Sequence, residues 1–503
     1  AAAQGPVLPL YIVEPELWAQ PDASARQWDF VAECLGDLRA DLAALGQPLI
    51  LRVGDAVEVL TADLGPSARY RAFLRVLLGE VRAVIGTRAA AFAPVKELGL
   101  VLVWDDGDDL YSEPHAPGWH AREVAVMRSE VDGAALVLGS YARSVEAATL
   151  LADGFAREVV AGRATVRQRA PRVVCAGDDA ELATDPAART ARLPHLAWRT
   201  AHEGLDHGPV LVQVPRRGYL LALACRRCRA LATCAHCHGP LAASSGHAVP
   251  TCRWCARPAG DWSCPACGDT HFRAVAYGAA RTAEELGRAF PGVPVRTSGR
   301  AEVLDAVPPV PALVVCTPGA EPEVEGGYAA ALLLDGRVML DRPDMRAGEE
   351  AVRRWLRAVA LVRPAADGGR VVLLADSALP AAQAVVRVDP GTFAEREREE
   401  RAGLGLPPAT CIASLTGEPV DVAAMLEVLR PPDGAEVLGP VALLPARRRE
   451  GAPAATTRVR YLVTVPRAAA AGLAASLHAA AATRAAHKSG GAVQVRVDPV
   501  ELG

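Results

Sequence analysis

Apolar residues along the chain recur in two rhythms. Short unbroken runs read as strands and three- and four-residue steps read as helices. Val7–Val13 is an apolar run, and from Ser24 to Leu45 the residues Trp28, Val31, Leu35, Leu38, Leu42 and Leu45 recur at helical steps. Gly46 is a natural stop and Pro48–Val53 the next strand, so the start predicts one βαβ unit. Val81–Ile85, Gly99–Val103 and Ala135–Gly139 read as buried strands, whereas Asp178–Gly208 has no strong period and is expected to hold a helix and a linker. Val210–Val214 is a strand that leads through Pro215-Arg216-Arg217-Gly218-Tyr219 into a region of different texture. Beyond it Glu284–Phe290 predicts a helix, and Leu313–Cys316, Ala329–Leu334 and Val371–Ala375 predict strands. A helix at Glu349–Val362 carries Val352, Trp355, Leu356 and Val359 on one face. Phe393–Arg401 is a charged helix with a solvated face, and a last unit ends at Val493–Val497. The class is α/β.

The different texture comes from cysteine. Eight of the 12 cysteines form four C-x2-C pairs, Cys225/Cys228, Cys234/Cys237, Cys252/Cys255 and Cys264/Cys267. Each such turn aims two thiolates at one point, and two turns complete a tetrahedral zinc site with Zn–S near ~2.3 Å. The spacing therefore predicts two closed, all-thiolate structural zinc sites rather than disulfides, because C-x2-C cysteines seldom reach disulfide geometry. Spacing alone leaves two pairings open, sequential (225/228 with 234/237) or nested (225/228 with 264/267, 234/237 with 252/255). His236, His238 and His247 are spare donors, but eight thiolates already fill two sites, so they read as surface residues. Arg216, Arg217, Arg226, Arg227, Arg229 and Arg253 crowd the module and suit either phosphate contact or plain solvation. The remaining Cys34, Cys175, Cys316 and Cys411 read as small buried apolar residues.

At 503 residues the chain should hold two to four domains. No apolar run approaches ~18 residues and no basic segment followed by a long apolar one opens the chain, so we expect a soluble cytoplasmic protein without a membrane span. Net charge is −4, and any nucleic-acid site must be local. Only Lys96 and Lys488 among the 54 basic residues are lysine, and neither sits in a glycine loop. A G-x4-G-K-[ST] phosphate cradle is thus missing from these residues.

The order C-x2-C, C-x2-C, C-x2-C, C-P-x-C-G resembles the zinc module of the PriA family of primosomal replication-restart proteins. PRRGYLLALAC before the cysteines and FPGVPVRTSGR after them are similar to the strands that enter and leave that module, and IGTRAAAFAPVKELGLVLV resembles the first helicase lobe. ERAGLGLPPA, VLGPVALLP and RVDPVELG resemble the carboxy-terminal domain, so the likeness covers about residues 60–503. The resemblance implies nested zinc pairing and a degenerate bilobed RecA-like helicase core. It implies boundaries of 61–190 for a remnant of lobe one, 191–223 with 268–387 for lobe two, 224–267 for the inserted two-zinc module, and 388–503 for a C-terminal α/β domain. It also implies binding to branched or single-stranded DNA at stalled forks, with single-stranded-DNA-binding protein and primosome or replicative-helicase-loading proteins as partners, in the cytoplasm at the nucleoid.

The departures bear on activity. Val103-Trp104-Asp105-Asp106-Gly107-Asp108-Asp109 stands where the family carries a DExH box, and Gly139-Ser140-Tyr141-Ala142 where it carries G-S-A-T. AVALVRPAADGG stands at the arginine fingers, with only Arg363 near, and CTPGAEPEVEGGY replaces the polar nucleotide-sensing motif. Asp105 and Asp106 are therefore read as a degenerate nucleotide site, ATP and Mg²⁺ as doubtful cofactors, and the chain as a pseudo-helicase of the actinobacterial type. PLYIVEPELW, the following helix and GDAVEVL resemble a fragment of the amino-terminal α/β domain of DNA photolyases, over residues 1–60. The helical domain that would hold flavin has no counterpart, so no FAD is expected, and the chain reads as a splice near Val59–Ala62 or as a divergent lobe-one start.

Trp119 and Arg122 lie in a segment resembling the family's aromatic-rich loop, where a tryptophan can stack a base and an arginine hold a phosphate. The same tryptophan would also suit a core beneath a loop. Arg447, Arg448 and Arg449, with Arg458 and Arg460 in the alternating run Arg458-Val459-Arg460-Tyr461, suggest a strand with a basic face. With Arg216 and Arg217 these are the candidate DNA contacts.

Overall fold

A computed structural model of the chain describes residues 10–13, 39, 50–53, 57–61, 63–115, 118–176, 193–215, 222–228, 230–243, 249–252, 255, 257–275, 279–300, 302–342, 344–443, 458–487 and 490–500. Packing divides it into two compact units, one of Ala1–Ser140, Asp153–Gly162 and Arg401–Val500, the other of Tyr141–Ala152, Arg163–Glu400 and Glu501–Gly503.

The second unit is built on a six-stranded parallel sheet. Its strand order is Val295–Ser298, Leu313–Cys316, Val210–Gln213, Ala330–Leu333, Arg370–Leu373 and Arg172–Cys175. The three middle runs are buried at every position, as parallel strands covered on both faces must be. Alternate residues divide between two cores. Leu211, Val314, Leu333 and Val371 pack against helices Ala347–Ala360 and Pro380–Arg387, while Val212, Val315, Leu332 and Val372 pack against helices His195–Leu205 and Ala279–Ala289. The predicted stripe of Val352, Trp355, Leu356 and Val359 is buried, and so are Glu349, Glu350, Arg353 and Arg354 on the same helix. These charges survive burial by pairing: both Arg353 and Arg354 donate to the Glu350 carboxylate, at 2.7 and 2.8 Å.

Between strands Val210–Gln213 and Val295–Ser298 the chain makes a separate four-stranded sheet. Its strands run in the order Thr251–Cys252, Leu241–Ala242, Ala222–Cys225 and Phe272–Val275. Phe272 pairs with Cys225 and Val275 with Ala222, antiparallel, so the inserted module returns to where it left.

In the first unit Leu10–Val13 pairs in parallel with Ile50–Val53, as the βαβ reading expects. The amphipathic segment Ser24–Leu45 between them lies outside the described residues except Arg39. Val57–Leu60 pairs with Ala83–Gly86, and Leu100–Trp104 with Ala135–Gly139, both in parallel. Here the expectation of buried strands fails: Ile85 is 63% and Leu102 62% exposed, because each belongs to a separate two-stranded sheet in which only some positions, such as Leu60 and Val103, are buried. The C-terminal sheet is antiparallel, with order Glu436–Leu443, Arg458–Pro466, Thr410–Gly417 and Gln494–Val497. Helices Pro419–Val428 and Ala470–Ala486 cover one face through Val422, Met425, Leu473 and Leu477. Among the described residues no helix is long and apolar enough to cross a membrane.

Candidate metal centre and nucleic-acid face

The four C-x2-C turns are closed by one repeated hydrogen bond. The amide of the first cysteine donates to the carbonyl five residues on, in Cys225→Ala230, Cys234→Gly239 and Cys252→Arg257 at 2.8 Å and in Cys264→Asp269 at 2.9 Å. Two turns add a return bond, His238 N to Cys234 O and Gly268 N to Cys264 O, each through a left-handed residue after the second cysteine. Glycine adopts that conformation freely, and the histidine does so at a small cost. Each turn thus fixes two sulfurs from local sequence alone.

Tertiary structure chooses the partners. The sulfurs gather as Cys225, Cys228, Cys264 and Cys267 in one set and Cys234, Cys237, Cys252 and Cys255 in the other, all within 4.8 Å of one another in each set. This is the nested arrangement. Cross-turn Sγ–Sγ distances are 3.5 Å (Cys225–Cys267), 3.4 Å (Cys228–Cys264), 3.8 Å (Cys234–Cys255) and 3.4 Å (Cys237–Cys252). A tetrahedron of sulfurs ~2.3 Å from a zinc ion has edges of about 3.8 Å, so the sets fit such an ion, whereas a disulfide would bring two sulfurs to about 2 Å. Both sets can hold a metal ion. His236 and His238 are exposed and stand outside both sets, and His247 lies outside the described residues.

Electrostatics ready one thiol in each set. The amides of Cys237 and His236 bring Cys234 down to about 7. Burial opposes ionisation of Cys264, yet the Ala266 amide and the Cys228 thiol bring it also to about 7. Cys228 and Cys237 go the other way: the amides of Ala230 and Gly239 favour their thiolates, but burial and the surrounding sulfurs push both up to about 12. Burial also raises Cys225.

Sequence reasoning missed two supports. Trp262 is buried between the sets, stacks on Phe272 with centroids 4.4 Å apart, and donates Nε1 to the Thr233 carbonyl at 3.0 Å. It stands two residues before Cys264, and an aromatic within a run of polar knuckle residues was the available signal. Asp269 lies 3.7 Å from Cys225 Sγ, and its carboxyl is held below the usual range chiefly by the hydrogen bond from His271 at 2.9 Å. Arg226 and Arg227 line the concavity beside this pair.

The Asp105–Asp106 segment is occupied by the protein's own groups. Asp106 is buried, and buried Arg122 donates from Nη1 to its carboxylate and its carbonyl, each at 3.2 Å. Asp105 adopts φ 59° and accepts from Ser140 Oγ at 3.1 Å. In the other unit Arg363 spends its guanidinium on the carbonyls of Gly326, Gly327 and His207. Glu321, in the segment that replaces the nucleotide-sensing motif, accepts from Gln213 Nε2 at 2.8 Å and from Gly319 N at 3.0 Å.

Comparison with known proteins places the chain. "Probable replication restart protein PriA" of Mycobacterium bovis is 48% identical over 505 residues, covering 97% of this chain and 77% of that protein. The chain belongs to the PriA family. The protein of the same name in Mycobacterium leprae is 49% identical over 470 residues (92% of this chain, 72% of that protein), and the replication restart protein PriA of Treponema pallidum is 26% identical over 426 residues (80% and 63%). Residues 402–500 match the family described as Primosomal protein N C-terminal domain, and residues 1–64 match DNA photolyase. A match to 97% of 503 residues leaves about 15 outside it, so PriA likeness runs into the photolyase-like start.

Of the candidate DNA contacts, Arg216, Arg217, Arg447 and Arg448 (with Arg449, Arg229 and Arg253) lie outside the described residues. Arg122 is a correction. It is 5% exposed and held by Asp106 and Glu123, so it is a buried ion-pair partner and not a surface phosphate ligand. Trp119 is half-buried, its ring perpendicular to that of the half-exposed Phe92 with centroids 4.8 Å apart. Arg458 is exposed, whereas Arg460 is partly buried with its Nε enclosed; Val459 and Val463 face the helices, so these arginines lie on the opposite face of the PriA C-terminal sheet, where Ser414 and Thr416 are buried. Register puts Arg460 beside Thr416 and Thr416 beside Gln494, with Arg496 next on that face. Arg496, whose Nη2 donates to the Pro114 carbonyl at 2.9 Å, was missed, although the alternation of Gln494-Val495-Arg496-Val497 signals it.

Proposed function

We propose that this chain is a zinc-bearing replication-restart protein that binds branched DNA at stalled forks, recruits single-stranded-DNA-binding protein and helicase-loading components of the primosome, and lacks helicase activity. What carries the reading is a pair of tetrahedral cysteine sets in a chain of the PriA family. Zinc suits them best: four thiolates in a closed tetrahedron leave no open position for catalysis and match a borderline-soft d¹⁰ ion. The role is then structural, with two ions organising a module whose core is otherwise small. Arg458, Arg460 and Arg496 on one sheet face supply the local positive charge that a net charge of −4 requires of a DNA binder. The enclosure of Asp106 by Arg122 and of Arg363 by backbone carbonyls supports a core that does not turn over nucleotide. Cytoplasmic, nucleoid-associated action follows from this role.

The test joins three measurements on the purified chain: metal content, affinity for a fork and for blunt duplex, and DNA-stimulated ATP hydrolysis. Two zinc ions, preference for the fork and no hydrolysis are expected. Nucleotide-driven unwinding would replace this reading with an active 3′-to-5′ helicase, and absence of DNA affinity would leave a zinc-ribbon protein-interaction module.

A further inference from the structure

Helix His195–Leu205 carries three rings on one face, at steps of three and four residues. His195 and Trp198 have ring centroids 6.2 Å apart with planes 17° from parallel; Trp198 and His202 are 5.1 Å apart at 8°. Trp198 is also stacked on Phe290, 5.9 Å away at 19°, and Phe290 is buried in the core beneath the helix. Packing on Phe290 accounts for Trp198. His195 and His202 are exposed and lie within 17° and 8° of its plane.

We propose that these rings form a base-stacking platform for single-stranded DNA, a site additional to the C-terminal basic face and resting on the DNA-binding reading above. Stacking needs flat, pre-oriented surfaces exposed at their outer faces, and rings held parallel by a helix backbone and a buried anchor lose little freedom when a base arrives. Charge is placed to match. Arg199 and Arg370, each more than half exposed, share the single carboxylate of Glu203 beside His202, at 3.8 and 2.5 Å. Two guanidiniums against one carboxylate leave a positive surplus for phosphates flanking a stacked base. Duplex DNA, whose bases are already stacked and paired, cannot use the plates.

The test compares the wild-type chain with the double variant His195→Ala/His202→Ala, which keeps Trp198 and Phe290. Binding of a labelled oligothymidylate should weaken by about 5- to 150-fold with an unchanged salt slope, while binding of a fully double-stranded fork stays within about twofold. An unchanged oligothymidylate affinity overturns the platform. Photocrosslinking of the wild-type chain to a 5-iodouracil oligonucleotide is the second measurement: an adduct within residues 195–202 supports it, and adducts confined elsewhere overturn it. If the wild-type chain binds no DNA of any form, the broader reading falls too; if it binds forks yet the variant behaves as wild type, the platform alone falls.

Discussion

At the scale of single residues, the informative side chains are those whose partners are distant in sequence. Trp262 joins the two cysteine sets through Thr233 and Phe272. Trp262→Ala removes its stack and hydrogen bond, at a cost of about 3–5 kcal/mol. We expect faster transfer of zinc to a chromogenic chelator with both equivalents still bound at the start; an unchanged transfer rate would show that the sulfur sets stand without it. Arg122 is the second case. Removing it as Arg122→Met takes the guanidinium away from the buried Asp106 carboxylate, a loss of about 3–5 kcal/mol, whereas Arg122→Met with Asp106→Leu should recover most of it. The urea midpoint of the two variants decides, and equal destabilisation by both would refute the ion-pair account.

At the scale of elements, each C-x2-C turn is legible because its closing bond spans five residues, while the grouping of turns depends on the pairing of Phe272 with Cys225. Spacing therefore yields eight ligands and two sites but not their partition, which entered through the family resemblance. Strands Leu313–Cys316 and Ala135–Gly139 are legible to the residue as apolar runs. Their burial is not, since it depends on which helices arrive: the first is covered on both faces, and the second shares a pair with exposed Leu102. The burial of Arg122 was hidden for the same reason, its partner lying 16 residues back across a turn. The pH dependence of metal uptake belongs to this scale. Thiols bound to a metal ion titrate far below their unfolded value near ~8.5, so the stability they add is present above that value and lost as pH falls. In each set one thiol, Cys234 or Cys264, is brought down to about 7, while Cys228 and Cys237 are pushed up to about 12. Zinc uptake releases the protons its thiol ligands still carry, so each set should release about one proton fewer above pH 7 than below it. A plot of log affinity against pH should rise throughout and lose about one unit of slope near that point; an affinity independent of pH would exclude thiolate ligands.

At the scale of the whole molecule, a net charge of −4 means that long-range attraction cannot bring this chain to DNA, and affinity must come from local faces. In the proposed reading the C-terminal sheet is one such face: its helices cover the Val459 and Val463 side, and Arg458, Arg460 and Arg496 lie on the other. Each phosphate neutralised releases condensed counterions, so log affinity falls with log salt at a slope of about 0.7–0.9 per contact. Replacing the three arginines by alanine should flatten the slope for a forked substrate by about 2–3, weakening all sequences alike, since phosphate contacts position without reading bases. Zinc content should not change, because the cysteine sets belong to the other compact unit. Titration of wild-type and variant chains across roughly 50–200 mM salt, with metal analysis of both, tests this. A slope that stays the same while affinity falls would mean that the arginines support the sheet and do not touch phosphate; loss of zinc together with affinity would mean that the two units do not act separately.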